Sequence, residues 1–439
     1  MKLGDICSKI GSGATPRGGK DSYKDSGTAI IRSQNVLDWS FSSSGLAFID
    51  DDQSKALSNV EVKQGDVLLN ITGDSVARAC MVPSEFLPAR VNQHVAIIRA
   101  NEEANNLFLL AWLQANKGTL LKLASSGATR NALTKRMLEN LDVNLPPIDV
   151  QDKAAAFIDS IQAKIALNTK LNGYLVKACD VLYSNYTAGE QAAEWPMGTL
   201  EDLLEIRYGK NHKKLNDGNI PVYGSGGYMR SVDRFLYSGE SVLVPRKGSL
   251  NNVMYVREKF WTVDTMFYAV PKSPNVAKYA YQFIKRLDLA SMNSGSAVPS
   301  MTTKILNALP VPIPPKESLH AFDDQLQPYY SAICANAIEN ELLAALRDAL
   351  LPKLMSGEID VSKVNLTQLN SHLAKSLRQL GRHVSPHKNG AARAPANCPV
   401  SPAITLQRQP ALLPISQIAH PADRGAWAFP LGRNPRLRL

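Results

Sequence analysis

The chain repeats itself once, and two copies of one unit leave few folds open to it. Ser126, Gly127, Thr134, Leu138, Leu141, Val143, Pro146 and Pro147 recur 168 positions later as Ser294, Gly295, Thr302, Leu306, Leu309, Val311, Pro314 and Pro315. The same offset carries Asn168 to Asn336, Asn172 to Asn340, Asp180 to Asp348, and Gly189 with Glu190 to Gly357 with Glu358. A period this long means duplicated domains and not a solenoid of short repeats. The expected molecule is pseudo-two-fold, with two similar surfaces in place of one active site.

The copies differ in length. Leu3, Asp5 and Ile6 match Leu200, Asp202 and Leu203 at an offset of 197, while Gly65, Asp66, Leu68 and Leu69 match Gly239, Glu240, Val242 and Leu243 at 174. Later blocks match at 168, so the second copy is 29 residues shorter, 23 of them lost before Gly65. Variation there is what a recognition surface needs.

At 439 residues with 44% hydrophobic content, the chain can hold two or three domains with sizeable cores. It has no run apolar enough to cross a bilayer and no signal-peptide core at its start, so a cytoplasmic protein without a membrane partner is expected. The cysteines Cys7, Cys80, Cys179, Cys334 and Cys398 are far apart, which predicts free thiols and neither a disulfide framework nor a zinc site. The net charge of +10 is concentrated: from Leu366 onward ten Lys or Arg face one acid, Asp423, leaving residues 1–365 near +1. Binding to nucleic acid through the body would therefore rest on local basic clusters.

Residues 1–147 read as a mixed domain of short β-rich runs (28–32, 66–71, 95–98) and a helix near 107–124. Residues 191–315 repeat that grammar, and a proline pair stops each copy. After each stop comes a helix of roughly 35 residues, within 148–190 and 316–361. The first has a heptad seam of Ala154, Ile158, Ile161, Ile165, Asn168, Asn172, Leu175, Cys179 and Leu182. The second has Phe322, Leu326, Tyr329, Ile333, Asn336, Asn340, Leu343, Arg347 and Leu350. Heptads specify helix pairing, and asparagines at the seam fix its register. The inferred arrangement is antiparallel, with Asn168 and Asn172 meeting Asn336 and Asn340, making a ruler of about 50 Å. Residues 362–439, rich in Pro, Arg and Ala, read as a basic, largely disordered tail.

Catalytic chemistry finds no support. Asn144, Leu145, Pro146 and Pro147 resemble the N-P-P-aromatic loop of adenine methyltransferases, but Ile148 replaces the aromatic and the copy, from Pro312 to Pro315, lacks the asparagine. Neither glycine-rich stretch, Gly11 to Gly13 or Gly224 to Gly227, continues as a dinucleotide or phosphate loop. His94 becomes Met266 in the second copy, which argues against a general base. No metal-ligand spacing is present.

In order, and twice over, the chain shows an L-x-D-[I/L] opening and a G-[D/E]-x-[L/V]-L run. Val91 to Ala96, or Val263 to Tyr268, comes next, followed by the Ser-Gly to Pro-Pro block and a long helix ending in Gly-Glu. Over residues 1–361 this resembles the specificity subunit of a Type I restriction-modification system. The resemblance implies a mixed α/β (α+β) fold with two target-recognition domains separated by two long antiparallel coiled-coil spacer helices. It also implies a non-catalytic chain that reads a bipartite, asymmetric site in double-stranded DNA. Its implied partners are two methyltransferase subunits, which would use S-adenosylmethionine, and two restriction (motor-nuclease) subunits; no cofactor of its own is implied. A duplicated protein-binding adaptor without DNA specificity is the alternative, and an orphan methyltransferase a third reading. A DNA reader should depend on salt, because each phosphate contact releases counterions.

Specificity belongs where the copies differ. The candidate DNA contacts are Arg32, Ser33, Gln34, Asn35, Thr72, Asp74, Arg78 and Arg130 in the first copy. In the second they are Lys210, Asn211, Lys213, Lys214, Tyr223, Ser225, Arg246, Lys247 and Ser249. Arg and Lys suit guanine, and Asn and Gln suit adenine. Arg246 and Lys247 lead, since they follow an apolar strand and Pro245 and precede a Gly-Ser turn.

Overall fold

A computed structural model describes residues 1–125, 131–292, 300–356, 358–359 and 399–400. The first half runs β1 (Cys7–Ser12), β2 (Thr28–Ile31), β3 (Ala47–Ile49), α1 (Asp51–Ala56), β4 (Glu61–Val62), β5 (Val67–Asn70), β6 (Ala79–Met81), β7 (Ala89–Val91), β8 (Val95–Ala100), α2 (Asn106–Ala115), α3 (Lys117–Ser125), α4 (Lys135–Glu139) and α5 (Ile148–Ala188). The second runs β9 (Met197–Thr199), α6 (Leu200–Leu203), β10 (Leu204–Tyr208), β11 (Asp217–Gly224), β12 (Gly227–Val232), β13 (Tyr237–Pro245), β14 (Met254–Thr262), β15 (Met266–Pro271), α7 (Val276–Ile284), α8 (Thr303–Asn307), β16 (Pro310–Pro312) and α9 (Lys316–Ser356). A last short strand, β17 (Pro399–Val400), pairs with β14.

The duplication is visible in the topology. The first half builds its main sheet in the order β1-β8-β5-β6, and the second places β10-β15-β13-β14 in the same order. Period-2 alternation divides each sheet between two cores. Val67, Leu69, Ala96 and Ile98 face the helices, while Leu68, Val95 and Ile97 face the smaller sheet β3-β2-β7-β4. In the second half Val242, Val244, Phe267 and Ala269 face the helices, and Leu243, Met266 and Tyr268 turn away.

The recurring residues recur for physical reasons. Thr134 and Thr302 cap α4 and α8, their hydroxyls each accepting a backbone N–H at 3.2 Å, from Met137 and Ile305. Leu138 and Leu306, like Val143 and Val311, fill matching core positions. Gly65 and Gly239 both take positive φ, +87° and +136°, Gly65 just before β5 and Gly239 near the start of β13. The length difference also has a place. Strand β2 pairs antiparallel with β3 and parallel with β7, as β11 does with β12 and the end of β14. The first half spends a long connection, residues 32–46, where the second makes a tight turn at Ser225 and Gly226.

Helices α5 and α9 are both 41 residues long, about 60 Å, and start and stop 168 positions apart. They lie antiparallel. Asn168 Nδ2 donates to Asn340 Oδ1 at 2.9 Å and to Glu339 at 2.6 Å, and Asn336 Nδ2 donates to Asn172 Oδ1 at 2.7 Å. The two asparagine pairs are images of each other under the internal repeat. Each helix serves both halves: Ala154, Ile158 and Ile161 of α5 enter the first core, whereas Val176, Cys179 and Tyr183 enter the second. Helix α9 reverses this, with Phe322, Leu326 and Tyr330 in the second core and Leu343, Leu351 and Leu354 in the first.

Several sequence expectations need correction. The buried stripe is not a strict heptad: Val176 and Tyr183 replace Leu175 and Leu182, and Tyr330 and Leu351 replace Tyr329 and Leu350. An α-helix of 3.6 residues per turn drifts from a 3.5 repeat by about 20° per heptad, so over this length the seam slips by one residue. The helix expected near 107–124 is two, because the chain turns at Asn116, whose side chain donates back to Trp112 O at 2.9 Å. Cys7, Cys80 and Cys179 are free thiols as read, but Cys334 is disulfide-bonded. The tail reading falls outside the described residues, Pro399 and Val400 apart.

Candidate nucleic-acid interface

In each half the central strand runs out into a loop clamped between two backbone segments. In the first half Ile71 N donates to His94 O at 3.0 Å, and Leu133 N to Ile71 O at 2.9 Å. In the second, Arg246 N donates to Thr265 O at 2.8 Å and Met301 N to Arg246 O at 2.9 Å. Matching bridges, Thr72 to Ala132 and Lys247 to Ser300, close the clamp. Behind them Gly13 and Gly209 press on the next strand so closely that a Cβ on either would lie 2.0 Å from the carbonyl oxygen of Val91 or Val263. From sequence Gly13 reads only as part of a turn and Gly209 is not matched to it, although both follow an isoleucine by three residues.

The second half gathers most of its candidates here. Lys210 N bonds Thr262 O at 2.8 Å, and its carbonyl accepts from Trp261 Nε1 at 2.8 Å, which pins the start of an exposed loop carrying Asn211, Lys213 and Lys214. Arg246 lies with its guanidinium 5.4 Å from the Tyr208 ring centroid and donates to Asp264 O at 3.3 Å. Lys247 and Ser249 are exposed beside it. Ser225 O accepts from Asn252 Nδ2 at 2.8 Å, tying the β11–β12 turn to the same loop. Between these loops is an open cleft of about 460 Å³, lined by His212, Ser225, Tyr228, Met229, Asp264 and Thr265 among others. None of His212, Tyr228 or Met229 was singled out from sequence. Exposed apolar residues carry no sequence signal until the fold places them.

Tyr223 does not belong to this surface. It is 2% exposed, and its hydroxyl donates to Glu258 Oε1 at 2.6 Å. Burial raises both groups, Glu258 to about 7.

In the first half the candidates divide. Asn35 is fully buried, its Nδ2 donating to Ser42 O at 2.8 Å and Ser44 O at 3.2 Å while Oδ1 accepts from Arg32 N at 3.0 Å. It holds the long β2–β3 connection in shape and reaches no base. Asn70 does similar work, donating to Ser33 O at 2.9 Å. Arg32 donates to Gly45 O and lies 5.2 Å from the Tyr23 ring centroid. Gln34 is exposed and donates to the same carbonyl at 3.2 Å. Thr72 bonds His94 Nδ1 at 2.7 Å, and Gln93 bonds His94 Nε2 at 3.0 Å, a polar string that ends in a contact from Thr15 to Gln93. Asp74 is exposed and Arg78 half-buried on the same loop as Thr72. Arg130 lies outside the described residues.

Among the described residues no group of His, Cys, Asp and Glu could hold a metal ion. No described helix is long and apolar enough to cross a membrane.

Comparisons with known proteins agree with the duplicated architecture. The profile described as Type I restriction modification DNA specificity domain matches residues 1–175 and 192–345, one segment in each half. The MjaIX specificity subunit of Methanocaldococcus jannaschii is 24% identical over 287 residues, 56% of this chain and 66% of that one. The HindI specificity subunit of Haemophilus influenzae is 33% identical over 92 residues, 21% of this chain and 18% of that one. The matches thus span less than two thirds of these relatives. Among solved structures, the S subunit from M. genitalium gives a TM-score of 0.48 at 14% identity, covering 81% of this chain and 95% of that one. The HsdS subunit from Thermoanaerobacter tengcongensis gives 0.33 at 17%, covering 82% and 96%. With both halves matched by one profile over more than half of its length, the chain belongs to the Type I restriction-modification DNA specificity family.

Proposed function

We propose that the chain is the non-catalytic DNA-reading subunit of a Type I restriction-modification complex. Residues 1–147 and 191–315 act as two target-recognition domains, and the helices within 148–190 and 316–361 act as an antiparallel coiled-coil spacer. Each domain reads one half of a bipartite site, and the halves differ because the loops differ. Phosphate contacts set register while base edges supply specificity. Two adenine-methylating subunits, which bring S-adenosylmethionine, and two motor-nuclease subunits assemble on the chain, in the cytoplasm where the target DNA lies. The outer face of α5 supports such assembly: Leu167, Leu171, Tyr174 and Val181 are spaced 4, 3 and 7 apart and exposed, although the opposite face already packs on α9.

The observation that carries this reading is the clamped loop, which lies at the same place in both sheets and in the second half bears Lys210, Lys213, Lys214, Arg246 and Lys247. Binding of the complex to duplex DNA, titrated against salt, tests it. Log affinity falls linearly with log salt at a slope of about −0.9 per phosphate contact, and Arg246→Ala weakens one half-site only. A flat salt response would instead support a protein-binding adaptor.

A further inference from the structure

Strand β12, just past its turn from β11, carries two exposed side chains that no basic-cluster argument explains. Tyr228 is 61% and Met229 is 53% exposed, side by side just past Ser225 and Gly226. Both line the open cleft, where together they make a small exposed apolar patch of the kind that marks a binding surface.

The tip is also held rigidly. Tyr228 OH bonds Ser231 Oγ at 3.0 Å, and Arg230 ties β12 to the lysine loop through Leu215 O at 2.7 Å and Asp217 at 3.4 Å. A Cβ on Gly224 would lie 2.6 Å from Met229 Sδ, so the methionine lies over the hairpin and does not hang free. Gly226 and Gly227 have nothing within 4 Å of where a Cβ would stand, which leaves the apex bare. Lys210 and Lys213 lie in the loop that brings His212 to the cleft, and Arg246 donates to the carbonyl of Asp264 on the cleft lining.

We propose that this hairpin enters the major groove of the second half-site and that Tyr228 and Met229 are specificity residues, reading thymine through its C5-methyl group. A two-stranded ribbon fits the major groove, and apolar contact with that methyl is one of the groove's direct readouts. The polarizable thioether adapts to the methyl, while the flanking cations take the phosphates. The corresponding place in the first half is the 32–46 connection, whose exposed residues are Gln34, Asp38, Ser40, Ser44 and Gly45, so thymine reading by an apolar tip is confined to the second half-site. The inference rests on the DNA-reading function proposed above.

The test uses the assembled complex and duplexes bearing the methylated motif found with the wild-type chain. Each thymine of the second half-site is replaced in turn by deoxyuridine, which removes only the methyl. At one or two positions the wild-type complex loses about fourfold in affinity, the worth of one buried methyl group. Met229→Ala or Tyr228→Ala binds thymine and deoxyuridine there equally, and both variants still discriminate in the first half-site, which shows that they are folded. Equal loss in wild type and variants, or no sensitive thymine in the second half-site, overturns the inference while leaving DNA reading intact. Absence of any bipartite motif with the wild-type chain overturns both.

Discussion

Glu258 lies beneath that hairpin with one carboxylate oxygen accepting from Tyr223 and the other, Oε2, buried with no partner. Desolvation pushes its carboxyl up to about 7 against the opposing pull of the Tyr223 hydrogen bond, and Glu341 adds like charge. The folded chain keeps this proton up to about pH 7, while the unfolded chain releases it near the ordinary glutamate value. Its contribution is therefore full below that ordinary value and is lost as pH rises toward 7, by about 3 kcal/mol in all. Glu258→Gln should flatten the fall in stability between pH 5 and 8 and leave the variant the more stable at pH 8, as read by urea unfolding. Equal pH profiles would show that the carboxyl ionises freely in the fold. Tyr223 and Asn35 mark what sequence could not reveal. A polar residue in a variable stretch looks alike whether it faces a ligand or braces a loop, and only burial separates the two. Thr134 and Thr302 mark the opposite case, since capping acts locally and leaves its imprint on spacing.

Among the elements, α5 and α9 were the most legible, because a stripe along one face persists over many turns. Each runs 41 residues where the pattern implied roughly 35, and the paired asparagines lie at the midpoint. The slip from Leu175 to Val176 was not legible, because a heptad and a 3.6 period separate only over a longer run than either half of the seam supplies. The midpoint itself is a polar network. Lys164 Nζ donates to Asn168 Oδ1 at 3.0 Å and lies 3.1 Å from Glu339, while Asn172 Nδ2 reaches Ile333 O at 3.2 Å. Asn168→Ala leaves Asn340 Oδ1 without its donor and leaves Glu339 only its ion pair with Lys164, and should cost about 1–3 kcal/mol. Adding Asn340→Ala should then cost less than it does alone, because its partner is already gone. A double-mutant cycle by denaturant unfolding measures this, and strictly additive losses would mean that the amides do not act as a pair.

At the scale of the molecule, each half is completed by the far end of the other half's helix. Met355 from the end of α9 is buried with Leu3 in the first core, and Tyr183 from α5 is buried with Phe322 in the second. The two clamped loops are thereby fixed to one frame, as the proposed split target with a constant gap requires. The repeat made this duplicated plan visible in the sequence, since matched offsets survive even where loops diverge. The loops proposed to read DNA stayed hidden for the same reason: they are what the copies do not share. The most direct test of the central claim is a genome-wide map of adenine methylation in cells carrying the methylating subunits, with and without this chain. The account predicts a split, asymmetric methylated motif that vanishes when the chain is removed. Unchanged methylation, with the methylating subunits present and folded, would contradict it.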